Sequence, residues 1–142
     1  MKKLIYTLLI IIALTNNSFA AGSSSDSDST PKASDYTKAK NLIKAAKKYE
    51  KKGKIDKAQE RYAKAQKLLL KSNEIKPLQA DTLNYLGFTT RKLGDYEKGE
   101  KFYLLGLQVE PNHNGINEYL GELYVATNRM DMAKERLEVL KT

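Results

Sequence analysis

Few residues in this sequence have the chemistry of a catalyst. The single histidine, His113, stands in the turn "PNHNG" without a second histidine to share a metal ion. Cysteine is absent, which excludes thiol nucleophiles and cysteine-ligated metals. Two pairs of carboxylates could act as a general acid and a general base, Asp95 with Glu97 and Glu118 with Glu122. That chemistry needs burial or a cleft that shifts the pKa of the carboxyl groups. On helix surfaces they are solvated charges. We therefore expect no catalytic residues, no metal site and no cofactor.

Lysine is the second distinctive residue type. Residues 35–77 carry a net charge of +9, whereas residues 78–142 carry −2. Such a basic segment is compatible with a solvated surface, with attraction to an anionic envelope or membrane surface, or with nucleic-acid binding. Because arginine is scarce and aromatic residues are not interleaved, nucleic acid is not expected. Four of the lysines recur at helical spacing and share one face: Lys40, Lys44, Lys47 and Lys51.

The elements that position these residues are predicted to be helices. From Asp35 onward, apolar residues recur at three- and four-residue spacing among good helix formers, and alternating β-branched segments are missing. Gly and Asn suit the left-handed residue that ends a helix, and Pro cannot continue one. Such breaks fall at Gly53, Pro77, Gly94, Pro111 and Asn128. They predict six helices, at about 36–52, 55–75, 79–92, 95–109, 113–127 and 130–141.

Two stretches, "LNYLGFTTRKLGDY" and "NEYLGELYVATNRM", repeat one another. Leu86-Gly87 returns 34 residues later as Leu120-Gly121. A helix–turn–helix unit of this period resembles the tetratricopeptide repeat. Further positions that fit the repeat pattern are Tyr103, Pro111, Tyr124 and Ala133. The resemblance implies an all-α fold of helix–turn–helix repeats stacked as a short right-handed α-solenoid. This solenoid is expected to have about three units and six helices, with the units at about 39–79, 80–113 and 114–142.

Three features of the repeat predict details of the structure. Gly87 and Gly121 are expected where the two helices of a unit approach closely, so that a side chain would push them apart. Seven extra residues precede Pro77, and because they make about two helical turns they predict a long second helix rather than a loop. The chain stops inside its last helix without a polar capping helix. Leu137 and Leu140 are therefore expected to leave an apolar edge exposed.

The resemblance also implies a concave groove, lined by the first helix of each unit. Phe88 is the strongest candidate for a binding anchor in this groove, because exposed aromatic residues are common binding anchors. The alternative is that Phe88 packs against a neighbouring helix. Some relatives clamp a peptide's terminal carboxylate, but here the clamp positions hold Ile43, Lys47, Tyr85, Gly115 and Tyr119, and the clamp is not reproduced. The groove candidates are Lys40, Ile43, Lys47, Lys51, Asp81, Asn84, Phe88, Arg91, Lys92, Glu118 and Glu122.

The N-terminal residues have the layout of a secretory signal peptide. Lys2 and Lys3 precede an apolar run over 4–14, and Ser18-Phe19-Ala20 forms a small-residue cleavage site. An uncleaved membrane anchor is the alternative, although this run of eleven residues rises only about 16 Å as a helix, against a hydrocarbon core of about 30 Å. We predict a signal peptide at 1–20, a disordered Ser/Asp-rich linker at 21–35 and a repeat domain at 36–142. The mature protein is expected to be exported, either periplasmic or secreted.

These observations favour a non-catalytic protein–protein interaction module of a bacterial envelope. Its groove would bind a peptide or helix of a partner protein. Two alternatives remain open. The uncapped C-terminal edge could make the chain a self-assembling structural protein, and hence a homo-oligomer. The lysine-rich first unit could instead attach the chain electrostatically to an anionic envelope surface.

Overall fold

A computed structural model describes residues 34–142, and these residues contain six helices and no strand. The helices alternate with short turns. Their bounds are α1 (Asp35–Lys51), α2 (Ile55–Ile75), α3 (Ala80–Lys92), α4 (Tyr96–Val109), α5 (Asn114–Ala126) and α6 (Met130–Leu140).

Each helix begins and ends within about one residue of the span predicted from the sequence. The extra residues before Pro77 extend α2 to 21 residues, so the prediction of a long helix is confirmed. Asp35 is the first residue of α1, and the Ser34 hydroxyl caps it by accepting from the Thr37 amide at 3.1 Å. The predicted signal peptide and residues 21–33 of the predicted linker lie outside the described residues.

The turns have the backbone geometry that ends helices. Gly53 and Gly94 follow α1 and α3 with φ angles of +67° and +98°. Asn128 takes the same left-handed region after α5, with φ at 57°. Leu78 also has a positive φ of 57°, which is unfavourable for a branched side chain. These left-handed residues reverse the chain and set consecutive helices side by side.

The helices pack as three consecutive pairs, α1 with α2, α3 with α4, and α5 with α6. Neighbouring pairs meet through α2 against α3 and α4 against α5. The first helices of the pairs also touch one another, α1 with α3 and α3 with α5. This is an all-α solenoid of about three helix–turn–helix units, in which each unit buries its apolar face against its neighbours.

The core forms two clusters along the solenoid. One joins α1, α2 and α3, and the other joins the third unit to α3 and α4. Leu86 and Tyr103 are fully buried, as is Leu120, whereas Tyr124 is 2% exposed. Two further repeat positions are less enclosed, because Pro111 is exposed and Ala133 is half-buried.

The two repeat glycines differ in their surroundings. A Cβ at Gly87 would lie 2.5 Å from Cε1 of Tyr103, so the expected close approach is confirmed there. At Gly121 the nearest atom would be Cβ of Arg136 at 3.5 Å, which is ordinary van der Waals contact. The expectation of a close approach is therefore wrong for Gly121.

The C-terminal end of the solenoid has the exposed apolar edge expected from the sequence. None of the α6 residues is buried. Leu137 and Leu140 are 52% and 38% exposed, respectively. Within residues 34–142, none of the helices combines the length and the apolar character that a membrane span requires.

Candidate functional site: the concave groove

The first helices of the three units enclose an open groove of about 570 Å³, to which we refer as the concave groove. One wall is the lysine face of α1, and tyrosines of α3 and α5 contribute to the other. Its lining residues are Lys40, Asn41, Ile43, Lys44, Lys47, Lys48, Lys51, Tyr85 and Tyr119. Three predicted groove lysines, Lys40, Lys47 and Lys51, are therefore brought together here.

Lys47 joins the two ends of the solenoid across this groove. Its Nζ donates a hydrogen bond of 2.9 Å to the hydroxyl oxygen of Tyr119. The same ammonium lies 4.6 Å from the ring centroid of Phe88 and 5.1 Å from that of Tyr119. Since cations are attracted to aromatic faces within about 6 Å, Lys47 is held in place on an aromatic platform.

Phe88 belongs to the core rather than to an exposed binding surface. It is only 2% exposed. Its ring packs edge-on against Tyr62 at 5.7 Å and tilted against Tyr119 at 4.8 Å, measured between centroids. The expectation that Phe88 is an exposed anchor is wrong, because aromatic rings of α2 and α5 cover it. The alternative reading, packing against neighbouring helices, is the one that the structure shows.

Two further predicted groove residues are also buried, Ile43 at 3% and Asn84 at 5% exposure. Ile43 is part of the core cluster that joins the first two units and forms only the floor of the groove. Asn84 packs against Gly115, where a Cβ would lie 2.6 Å from its Nδ2. The expectation that Asn84 is available to a partner is wrong, since the N-terminal turn of α5 covers it.

The cations of α3 are neutralised within the protein. Arg91 pairs with Glu122 at 2.7 Å, although the guanidinium side chain is only 10% exposed. Lys92 pairs with Glu50 at 3.0 Å, and the Tyr62 hydroxyl donates to the same carboxylate at 2.8 Å. These pairs join consecutive units across the concave side. Both cations of α3 are therefore paired.

Burial favours the protonated form of Tyr85 in the groove and of Tyr36 beside it. It raises the pKa of Tyr85, with smaller contributions from Tyr119 and Asp81. Burial, followed by the charge of Asp81, also raises the pKa of Tyr36 to about 12. Tyr36 packs edge-on against Tyr85 with 6.0 Å between ring centroids. The Tyr85 hydroxyl therefore remains a hydrogen-bond donor at neutral and moderately alkaline pH.

The remaining predicted acidic positions lie outside the lining of the groove. Glu118 is exposed on α5. Asp81 lies 3.3 Å from Nε2 of His113. The other ring nitrogen of His113, Nδ1, accepts from the Ile116 amide at 3.1 Å and so caps α5. His113 thus has a structural contact at each ring nitrogen, and no cluster of metal-ligating side chains occurs among residues 34–142.

The groove candidates predicted from the sequence did not include Tyr85 and Tyr119, although both stand at clamp positions of the repeat. They stand at the same position of consecutive units, within the two Tyr-Leu-Gly stretches. Because equivalent positions of stacked repeats lie on the same side of a solenoid, their spacing was a signal that both face the groove. What the sequence could not reveal is the hydrogen bond from Lys47, which spans 72 residues.

Comparison with known proteins supports the fold. No family model matches the sequence, and no curated protein is significantly similar to it. Solved structures similar to this chain include two of MamA. A structure described as "MamA R50E mutant" has a TM-score of 0.51 at 17% identity, over 72% of this chain and 95% of the other. Another, "MamA RS-1 ArsTM double mutant", has a TM-score of 0.50 at 19% identity, over 72% of this chain and 54% of the other.

A more distant similarity is to the "Second TPR of Spaghetti (RPAP3) bound to HSP90 peptide SRMEEVD", where TPR denotes the tetratricopeptide repeat. It has a TM-score of 0.45 at 16% identity, over 74% of this chain and 91% of the other. The fold shared with the two MamA structures, together with the 34-residue helix–turn–helix period, is that of a tetratricopeptide-repeat solenoid. At these identities the similarity extends to the fold alone, so the ligand of this solenoid has to be inferred from its own groove.

Proposed function

We propose that this tetratricopeptide-repeat solenoid is a protein–protein interaction module that binds a segment of a partner polypeptide in its concave groove. The observation that carries the proposal is the groove itself, in which the lysines of α1 face Tyr85 and Tyr119. Lysine ammonium groups and tyrosine hydroxyls offer hydrogen bonds, and the tyrosine rings offer apolar contact area. Such a surface suits binding and positioning of a partner rather than chemistry upon it.

The groove is preorganised for this task. Lys47 is fixed by Tyr119, and the pairs Arg91–Glu122 and Lys92–Glu50 connect consecutive first helices. Because these contacts already order the concave side, a partner segment binds without the free-energy cost of ordering the groove.

The proposed function is tested by selecting peptides from a random display library against the full-length chain. Hydrogen exchange is then measured with and without a selected peptide. Protection concentrated in α1, α3 and α5 supports the concave groove as the binding surface. Failure to select any binder, or protection confined to α2, α4 and α6, overturns the proposal.

We further propose that the protein acts after export, in the periplasm or outside the cell of a bacterium. The apolar run over 4–14 and the small-residue site Ser18-Phe19-Ala20 support export with cleavage before Ala21. Mass spectrometry of the N-terminus of the protein, recovered from its own compartment, decides this. A chain that retains residues 1–20 in the membrane fraction would instead establish the uncleaved anchor.

Self-association through α6 is a second candidate function, favoured by one observation. No residue of α6 is buried, and its exposed apolar side chains, including Leu137 and Leu140, have no further helix to cover them within the described chain. A second copy would cover this edge with the same surface. Sedimentation equilibrium of the full-length chain and of a Leu137→Gln, Leu140→Gln variant tests it. A monomeric wild type at high concentration rejects it.

A further inference from the structure

Five lysines line the concave groove without a carboxylate to neutralise them. None of the five forms an ion pair with another residue among 34–142. They are Lys40, Lys44, Lys47, Lys48 and Lys51. Uncompensated charge of one sign in a cleft raises the local concentration of ligands of the opposite sign. The groove is therefore suited to an anionic ligand.

Two carboxylates of the concave side are already engaged, and Asp81, whose charge acts on Tyr85, lies outside the groove lining. Glu50, on the same helix, accepts from Lys92 and from the Tyr62 hydroxyl. Glu122, on α5, pairs with Arg91. Neither carboxylate is left to balance the lysines of the groove wall.

The other groups of the groove also donate hydrogen bonds. The Tyr85 hydroxyl has no hydrogen-bond partner among the described residues, and burial holds its pKa above the ordinary value, so it stays an O–H donor. The Tyr119 oxygen already accepts from Lys47 and can donate its own proton. A ligand that satisfies this groove must present several acceptor oxygens.

The charge is spread along a line rather than gathered at one point. Lys40, Lys44, Lys47 and Lys51 follow one helix face over about 16 Å, with steps of about 4.5 to 6 Å along the axis. About five residues of extended chain cover this distance. On one side of an extended chain, side chains recur about every 6.6 Å, a spacing that flexible lysine side chains can follow.

We propose that the concave groove recognises an internal acidic segment of a partner protein, with Asp or Glu at alternate positions over about five extended residues. This inference rests on the proposed function and specifies its ligand. A single terminal carboxylate would leave most of the lysine row unpaired. A flat bilayer cannot enter the cleft to reach Tyr85 and Tyr119. Lysine, a compact point charge, also suits single carboxylate oxygens better than the bidentate phosphate contacts that arginine makes.

The direct test uses a fluorescent Gly-(Glu-Ala)₃-Gly peptide, blocked at both ends, and the full-length chain. Fluorescence anisotropy at low salt should show binding, and the matching Gln-Ala peptide should bind at least tenfold more weakly. Raising the salt from about 0.05 to 0.5 M should weaken binding of the acidic probe about tenfold or more, since exposed charges are screened.

Two charge-matched double variants locate the site. Lys44→Gln with Lys48→Gln removes two exposed lysines of the groove and should weaken probe binding about tenfold. Lys57→Gln with Lys67→Gln removes two exposed lysines of α2 outside the groove and should change it less than twofold. Equal losses in both variants would mean that net charge alone attracts the probe, and would overturn the proposal.

Two further arms separate the alternatives. If peptides selected from the random library protect α1, α3 and α5 but are not acidic, and the acidic probe does not bind, this inference fails while the proposed function stands. Vesicles of phosphatidylglycerol and phosphatidylcholine in equal parts test the anionic surface. Vesicle binding tighter than probe binding, with equal losses in the two variants, would assign the lysines to envelope attachment and overturn the proposal.

Discussion

The Lys47 ammonium donates a 2.9 Å hydrogen bond to the phenol oxygen of Tyr119, which lies 72 residues later in the chain. This contact connects α1 of the first unit directly to α5 of the third. It passes over Phe88, whose ring lies 4.8 Å from that of Tyr119. A repeat solenoid is held mainly by contacts between neighbouring units, so a bond that skips the middle unit stiffens the concave groove as a whole.

Tyr119→Phe removes this hydrogen bond but keeps the aromatic ring. We expect a loss of about 0.5–1.5 kcal/mol in the free energy of unfolding, as for a typical side-chain hydrogen bond. Urea denaturation measures it. The matched control is Tyr96→Phe, which removes a hydroxyl from a side chain of α4 that is 42% exposed and should change stability by less than about 0.5 kcal/mol. Equal effects at the two positions would contradict the account of the groove.

Gly87→Ala and Gly121→Ala should have opposite effects, although the two glycines are equivalent in the repeat. At Gly87 the new methyl group would meet the buried Tyr103 ring at 2.5 Å, so overpacking should destabilise by about 1–3 kcal/mol. At Gly121 the nearest contact is 3.5 Å, and the helix propensity of alanine should stabilise by about 0.5–1 kcal/mol. Thermal unfolding of both variants measures these changes. A change of the same sign in both variants would contradict the prediction that the two glycines differ.

Phe88→Ala should lower the stability of the fold rather than remove a contact with a partner. Truncating a buried phenylalanine leaves a cavity between Tyr62 and Tyr119, and such changes destabilise by about 3–5 kcal/mol. Phe88→Leu should recover more than half of that loss. A Phe88→Ala variant that unfolds at the same urea concentration as the wild type, yet fails to bind selected peptides, would restore its role as an exposed anchor.

The carboxylate of Asp35 makes stability pH-dependent at acid pH. A hydrogen bond and charge from Lys71, at 3.2 Å, lower the pKa of Asp35 below the ordinary 3.8, with a further contribution from Lys38. Because its pKa is lower in the folded state, the contribution is present above pH 3.8 and is lost as the pH falls through the folded-state pKa. The melting temperature of Asp35→Asn should be below that of the wild type at pH 7, and the difference should shrink below pH 3.8. A difference that is constant with pH would contradict this.

Most of the fold could be predicted from the sequence because its signals are local. Gly53, Gly94 and Asn128 mark helix ends through backbone geometry that each residue adopts by itself. The length of α2 followed from the helical phase of its apolar residues. Six helices could therefore be placed to within about a residue.

The groove could be predicted only in part, because its composition depends on contacts between distant residues. The exposure of Phe88 is decided by Tyr62 and Tyr119, which belong to other units. The two repeat glycines differ because the residue equivalent to Tyr103 in the third unit is Leu137, which is exposed. Repeat spacing shows which positions are equivalent, but not which neighbour fills the space beside each.

The central claim is that a partner segment occupies the concave groove, and site-specific crosslinking tests it most directly. A photoreactive amino acid is placed at Asn41, an exposed residue of the groove lining, or at Gln108, an exposed residue of α4. Each full-length variant is irradiated with a biotinylated peptide selected from the random library. We predict a crosslinked product from Asn41 and little or none from Gln108. Equal products at both positions, or a product from Gln108 alone, would contradict the claim.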